Sequence, residues 1–156
     1  MNIQLRPTVE SDLEIFFNNQ LDEEANYMAA FTPKDPTDKE AYLGKFKRLL
    51  QDPSINMKTI LNDGEIVGTV AKFEMEGEAN VTYWIDKKHW GKGIVTKALQ
   101  QFLSLEPQRP IFGRTAFDNF GSIRVLEKNN FQKIATDKGF ANARGKEIEE
   151  FIFRLL

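Results

Sequence analysis

The chemistry of this chain is concentrated in residues 84–103, WIDKKHWGKGIVTKALQQFL. Gly91 and Gly93 flank Lys92, an amphipathic helical pattern begins at once, and no acid occurs between Lys87 and Leu105. The first amides of a helix have no partner within it, and they add to the positive end of its dipole. A glycine-rich turn leading into such a start lets a ligand approach the backbone closely, which makes an anion site. Lys87, Lys88, Lys92 and Lys97 raise the local potential. Asp or Glu ordinarily favours a first helical turn, so their absence fits an external anion in that role. A solvated lysine-rich turn is the plain alternative. Two nucleotide fingerprints fail here. A phosphate-binding Walker loop needs Gly at 86 and Ser or Thr at 93, where Asp86 and Gly93 stand; a dinucleotide fingerprint needs Gly at 96, where Thr96 stands.

The whole chain narrows the choice. A length of 156 residues fits one domain, residues 1–156, with one core. A net charge of −2 argues against a general nucleic-acid binder, so any positive patch is local. The absence of Cys removes thiolate nucleophiles and Cys-ligated metals, and one histidine, His89, cannot form a zinc cluster, so no metal is expected. No apolar run is long enough to span a bilayer, and MNIQLRP lacks a basic start and apolar stretch; a cytoplasmic protein without a membrane partner is expected.

The elements that position the turn follow from periodicity. NIQLRP alternates as a strand with Ile3 and Leu5 on one face. A helix follows with Thr8 as candidate cap, then NYMAAFTPKDP as a loop. Thr37 and Glu40 form a capping box for a second helix with Tyr42, Phe46, Leu49 and Leu50 as its stripe. Asn62-Asp63-Gly64 predicts a hairpin, and a second turn falls around Gly77. With ANVTYWID these runs make an antiparallel meander. The central helix buries Ile94, Val95, Ala98, Leu99, Phe102 and Leu103. PIFGRTAF is a strand, DNFGSIRVLEKNN a short helix with Asn119 at its start and Asn130 left-handed at its end, and two strands close the chain. The result is a mixed α/β (α+β) domain of about seven strands and about four helices.

YWIDKKHWGKGIVTKAL followed by DNFGSIRVLEKNNF resembles the GNAT superfamily of acetyl-CoA-dependent N-acetyltransferases. The likeness is greatest to the branch of ribosomal-protein alanine N-acetyltransferases, and the element order agrees over essentially the whole chain. Trp90 to Val95 occupy the pyrophosphate motif Arg/Gln-x-x-Gly-x-Gly/Ala, of which Gly93 matches strictly and Val95 departs. The resemblance implies that the amides of Gly91, Lys92, Gly93, Ile94, Val95 and Thr96 hold the CoA pyrophosphate. Asn119, Ser122 and Phe131 match the second motif, with Asn130 in place of its Gly. Asn119 and Ser122 would then lie near the pantetheine and thiol end, and Arg124 and Lys128 would reach the nucleotide phosphate. The fold implied is a mostly antiparallel sheet splayed between strands 4 and 5. The pantetheine would pair with Trp84 to Asp86, and an amide near Trp84 or Ile85 would polarise the thioester carbonyl.

With no Cys to carry an acetyl group, direct attack in a ternary complex is the economical expectation for acetyl transfer. Many members place a general-acid Tyr seven residues after the Asn; Leu126 stands there, which leaves Ser122 as acid or positioning hydroxyl. The base is open: Glu78, Glu149 or Glu150, or a water relay, because the branch's glutamate falls near Gly139 or Phe140. His89 reads as a surface residue. Tyr27, Met28 and Phe31 form either an apolar acceptor wall or core. The clusters Asp22-Glu23-Glu24 and Glu74, Glu76, Glu78 attract a cationic amine or are merely solvated. The acceptor is a protein N-terminal amine or a small amine, and the protein is a monomer or homodimer. The rival reading is a non-catalytic, regulatory CoA-binding module.

Overall fold

Two tight turns set the register of the first half of the sheet. Asp63 (φ 51°) with Gly64 (φ 83°), and Glu76 (φ 54°) with Gly77 (φ 79°), put two successive residues at positive φ, the geometry that matches strand twist in two-residue hairpins. They join β2 (Asn56–Asn62), β3 (Glu65–Met75) and β4 (Glu78–Ile85) into the expected meander, with β1 (Ile3–Pro7) antiparallel to β2. The computed structural model describes residues 1–156. Beyond the meander come α4 (Ile94–Leu105), β5 (Ile111–Ala116), α5 (Phe120–Lys128), β6 (Gln132–Ala141) and β7 (Lys146–Leu155). The seven strands lie in the order β1-β2-β3-β4-β5-β7-β6, and only β4 and β5 run parallel. No helix is long and apolar enough to cross a membrane.

The parallel pair is short. Ala79, Asn80 and Val81 meet Ile111, Phe112 and Gly113, and there the pairing stops. The remainder of β4, Thr82 to Ile85, stays on β3 while β5 turns to β7. The sheet is therefore splayed between strands 4 and 5, as the resemblance implied. The core under the split packs Ala98, Leu99 and Phe102 of α4 and Leu126 of α5 against Ile60, Val70, Val81, Ile111 and Phe153. Gly113 permits this contact: a Cβ there would lie 2.8 Å from Leu126 Cδ2. Leu126 is fully buried, so the position that could have carried an acid is part of the core. Val95 does not share the buried face of α4; it is half-buried, while Ile94, Ala98, Leu99 and Phe102 are enclosed.

The N-terminal half differs from the sequence expectation in three places. A short helix, α2 (Glu23–Ala29), occupies part of the stretch read as loop, between α1 (Asp12–Gln20) and α3 (Lys39–Gln51), which makes five α-helices. Asp22 caps it by accepting from Ala25 N at 2.8 Å, and Glu23 and Glu24 fill the first turn, so this acidic cluster starts a helix. Thr8 is not the cap of α1; its hydroxyl lies 3.0 Å from Thr59 Oγ1 beside buried Asp12. Asp38, one residue beyond Thr37, caps α3 through Ala41 N at 3.0 Å. Asn130 takes the left-handed conformation at φ 68°, as expected.

Candidate active site

The split opens a cleft of about 470 Å³. Its floor is the end of β4 (Tyr83, Trp84, Ile85), its sides are the turn and first residues of α4 and the start of α5, and its far wall is α2. Successive β4 side chains alternate across the sheet. Tyr83 thus joins the α4–α5 core, and Trp84 points to the opposite face.

At the turn, Gly91 and Gly93 both stand at φ 75° with open space where a Cβ would be. Gly93 is the N-cap of α4 and offers no side-chain acceptor. The amides from Gly91 to Thr96 donate to no carbonyl outside the helix; the helix's first external bond is Lys97 N to Gly93 O, 3.2 Å. A row of donors without acceptors beside a cleft is suited to a diphosphate. The lysines divide differently from expectation. Lys87 bonds Glu24 at 2.6 Å, which raises its pKa, and Lys88 pairs with Glu65 at 3.4 Å. Lys92 and Lys97 are exposed and form no ion pair, and Arg124 and Lys128 on α5, also unpaired, are the cations that line the cleft itself.

The free edge of β4 supplies a directed donor. Asp86 N donates to Val67 O at 2.9 Å. Because bonding alternates along an antiparallel pair, Trp84 also faces β3, and the amides of Tyr83 and Ile85 point into the gap. Of the two amides considered from sequence, Ile85 is the one so placed. The Trp90 indole donates to Ile85 O at 3.3 Å and ties the turn to the strand end. His89 is not a surface residue: it is buried beneath the turn, and neither ring nitrogen has a hydrogen-bond partner.

A family model described as an acetyltransferase (GNAT) domain matches residues 2–132. The chain belongs to the GNAT acetyltransferase family. It is 33% identical over 101 residues to a Bacillus licheniformis protein named uncharacterized N-acetyltransferase p20, covering 59% of this chain and 56% of that one. The chain thus spans little more than half the length of that relative. Among solved structures it resembles RimL, a ribosomal L7/L12 alpha-N-protein acetyltransferase in complex with coenzyme A. That match has TM-score 0.86 and 20% identity over 100% of this chain and 94% of the other. It also resembles the microcin C7 self-immunity acetyltransferase MccE in complex with acetyl-CoA and AMP, with TM-score 0.82 and 15% identity over 99% and 92% of the two chains. At these identities the likeness is one of fold, and it extends over the whole split sheet.

Within the GNAT frame, the second motif does two jobs. Asn119 Oδ1 accepts from Ser122 N at 3.2 Å and caps α5, while its Nδ2 donates to Met28 O at 3.3 Å and holds α2. Ser122 lines the cleft, with its Oγ 2.7 Å from the Tyr83 hydroxyl. Burial pushes the Tyr83 phenol well above its ordinary value, more than the Ser122 hydrogen bond lowers it. Of the proposed acceptor wall, Met28 lines the cleft together with Ala25 and Ala29. The Tyr27 ring instead stacks on the Arg144 guanidinium at 3.9 Å, and Phe31 packs on Ala30, Ala116, Ala141 and Ile148.

The candidate bases are not brought to Ser122. Glu78 starts β4, seven residues and about 23 Å of strand from Ile85. There it lines a second cavity of about 330 Å³ with Arg114 and Arg154. Glu150 is held by Arg114 at 3.0 Å, and Glu149 is exposed. No carboxylate lines the main cleft. Alternation along the last strand indicated that one of these glutamates faces inward, but not that an arginine on β5 holds it. No cluster of three or more His, Asp or Glu is placed to hold a metal.

Proposed function

We propose that this protein moves an acetyl group from acetyl-CoA to a primary amine by direct attack in a ternary complex. The observation that carries the reading is the row of unpartnered amides from Gly91 to Thr96, set beside a sheet that opens between β4 and β5. Those amides, with Arg124 and Lys128, would hold the phosphates of CoA. The free edge of β4 would receive the pantetheine arm. The donor supplies a reactive acetyl thioester. The Ile85 amide, fixed by β3 on the other side of its strand, stabilises negative charge developing on the carbonyl oxygen. Ser122 and Asn119 lie at the thiol end of the cleft.

The acceptor enters from the α2 side, past Ala25, Met28 and Ala29. Because the cleft has no carboxylate, it favours an amine that sheds its proton easily. An α-amine has a pKa of about 8 and a lysine-type amine about 10.4, so near pH 7 the neutral fraction differs by over two orders of magnitude. A protein N-terminal amine or a small amine of low pKa fits best, with water carrying the proton away. The groups named all lie in one chain, which suits a monomer or a homodimer with independent sites.

Thiol release from acetyl-CoA, followed over a panel of peptides with free α-amines, diamines and aminoglycosides, tests this reading. Turnover is expected with α-amines, and the rate should rise with pH between about 6 and 8. Calorimetric binding of CoA with no turnover on any amine would leave a CoA-binding module. No CoA binding would remove the site from the turn.

A further inference from the structure

The shortest polar contact in the cleft joins two hydroxyls from different elements. The Tyr83 hydroxyl, on β4, lies 2.7 Å from Ser122 Oγ and 3.3 Å from Ser122 O, both on α5. The side chain is packed against the α4–α5 core, and Tyr83 and Ser122 both line the cleft. Two proton arrangements satisfy the distances. In one, Ser122 donates to the phenol and the phenol donates to Ser122 O. In the other, the phenol donates to Ser122 Oγ and the serine proton is free.

We infer that Tyr83 is a positioning residue for acetyl transfer: its hydroxyl donates to Ser122 Oγ, which turns the serine's own proton into the cleft toward the sulfur leaving the acetyl group. The inference rests on the acetyl-transfer reading above. A sulfur gaining negative charge selects the second arrangement, because only that arrangement offers it a donor. As the amine nitrogen bonds the carbonyl carbon, the carbon–sulfur bond breaks and its electron pair stays on sulfur. The nitrogen's surplus proton leaves to water, and Ser122 Oγ–H hydrogen-bonds the thiolate. No proton leaves Tyr83, and its burial keeps the phenol a donor across the working pH range. Two hydroxyls in series polarise each other, so the serine is a stronger donor than it would be alone.

Tyr83→Phe removes the donor and keeps the ring. It is expected to lower kcat about three- to tenfold, the size of one neutral hydrogen bond, with the KM for acetyl-CoA unchanged. In a Ser122→Ala background the same change should cost nothing further. Wild-type kcat in Tyr83→Phe, or equal losses in both backgrounds, overturns the inference.

Binding gives a second readout. In the wild type, CoA should gain on desulfo-CoA as the pH rises into the range where its alkyl thiol ionises, above the cysteine value of about 8.5, because the serine holds the thiolate. That gain should shrink in Tyr83→Phe; an identical gain in both proteins overturns the inference. If neither ligand binds the wild type, it is the acetyl-transfer reading that fails. Should Tyr83→Phe not fold, a polyfluorinated tyrosine at position 83, of nearly the same shape and more acidic, should bring a fall of kcat into an alkaline range where the wild type keeps its rate. The same alkaline profile in both proteins overturns the inference.

Discussion

The two sides of the split sheet are built from different materials. On the α4–α5 side, the ligand-facing groups are mostly backbone: the amides from Gly91 to Thr96 and those pointing out of β4. On the α2 side, the wall is a seven-residue helix held by side chains from distant parts of the chain. Arg144, in the turn between β6 and β7, donates to Tyr27 O at 2.7 Å and grips Asp118 with two bonds of 2.9 Å. Asn119 holds Met28 O, and Lys87 holds Glu24. A backbone site depends on local conformation. A side-chain wall depends on long-range pairs, so its parts can be removed one at a time.

Removing Arg144 should have the largest effect and fall on one side only. Its side chain is 2% exposed and that of Asp118 29%, so Arg144→Met strands a half-sheltered carboxylate and frees α2. A cost of about 2 kcal/mol is expected, less than for a fully buried pair because water reaches Asp118. The melting temperature should fall by about 4–8 °C. The KM for the amine should rise while CoA affinity changes little. Equal damage to both ligands would show that the two sides are not independent.

The same pair sets an acid limit. The Arg144 hydrogen bond holds the Asp118 carboxyl below its ordinary value. Asp12 is pushed up by burial, but bonds from Arg6, Val9 N and Thr59 outweigh this and leave it lowered. A depressed carboxylate stabilises fully above its unfolded pKa of about 3.9, and that stability is lost as pH falls through the lower folded value. Chemical denaturation from pH 6 to 2 should therefore show stability falling below about pH 4. The fall should be shallower in Arg144→Met, which has already lost the Asp118 share.

On the backbone side, Gly93→Glu should raise the dissociation constant of CoA tenfold or more in calorimetry. The Cβ itself meets open space, so the loss comes from strain at φ 75° and from a carboxylate in an anion site. Gly93→Ala separates the two causes and should lose less. Unchanged affinity in Gly93→Glu would take the phosphates away from this turn.

That contrast also explains what the sequence revealed. The hairpins at Asp63-Gly64 and Glu76-Gly77, the helix start at Gly93 and the left-handed Asn130 are local events, decided by a few adjacent residue types. All of them could be read without a fold. Helix α2 has a start signal in Asp22-Glu23-Glu24, but it is short and the prolines just downstream give the region the composition of a loop. The Tyr83–Ser122 pair spans 39 residues, and β-alternation alone could not tell whether Tyr83 ended in core or cleft. Glu78 stands away from the cleft for a topological reason: a residue at the start of β4 lies where the sheet is closed, and the split opens at the other end.

Two lysines offer the finest test of the contrast. Counted along the sequence, Lys87 stands close to the glycine turn and Lys128 far from it. In the fold, Lys87 is spent on Glu24 of α2, whereas Lys128 lines the cleft unpaired, one turn along α5 from Arg124. Lys128→Ala should weaken CoA binding about three- to fivefold at low salt, and the loss should shrink as ionic strength rises and screens the contact. Lys87→Ala should leave CoA affinity within about twofold at any salt. Its effect should appear on the amine KM instead, because a salt bridge fixing α2 is what it removes. If Lys87→Ala weakened CoA as much as Lys128→Ala, the positive potential would belong to the turn as a whole, and the separation of a backbone-built donor side from a side-chain-built acceptor side would fail there.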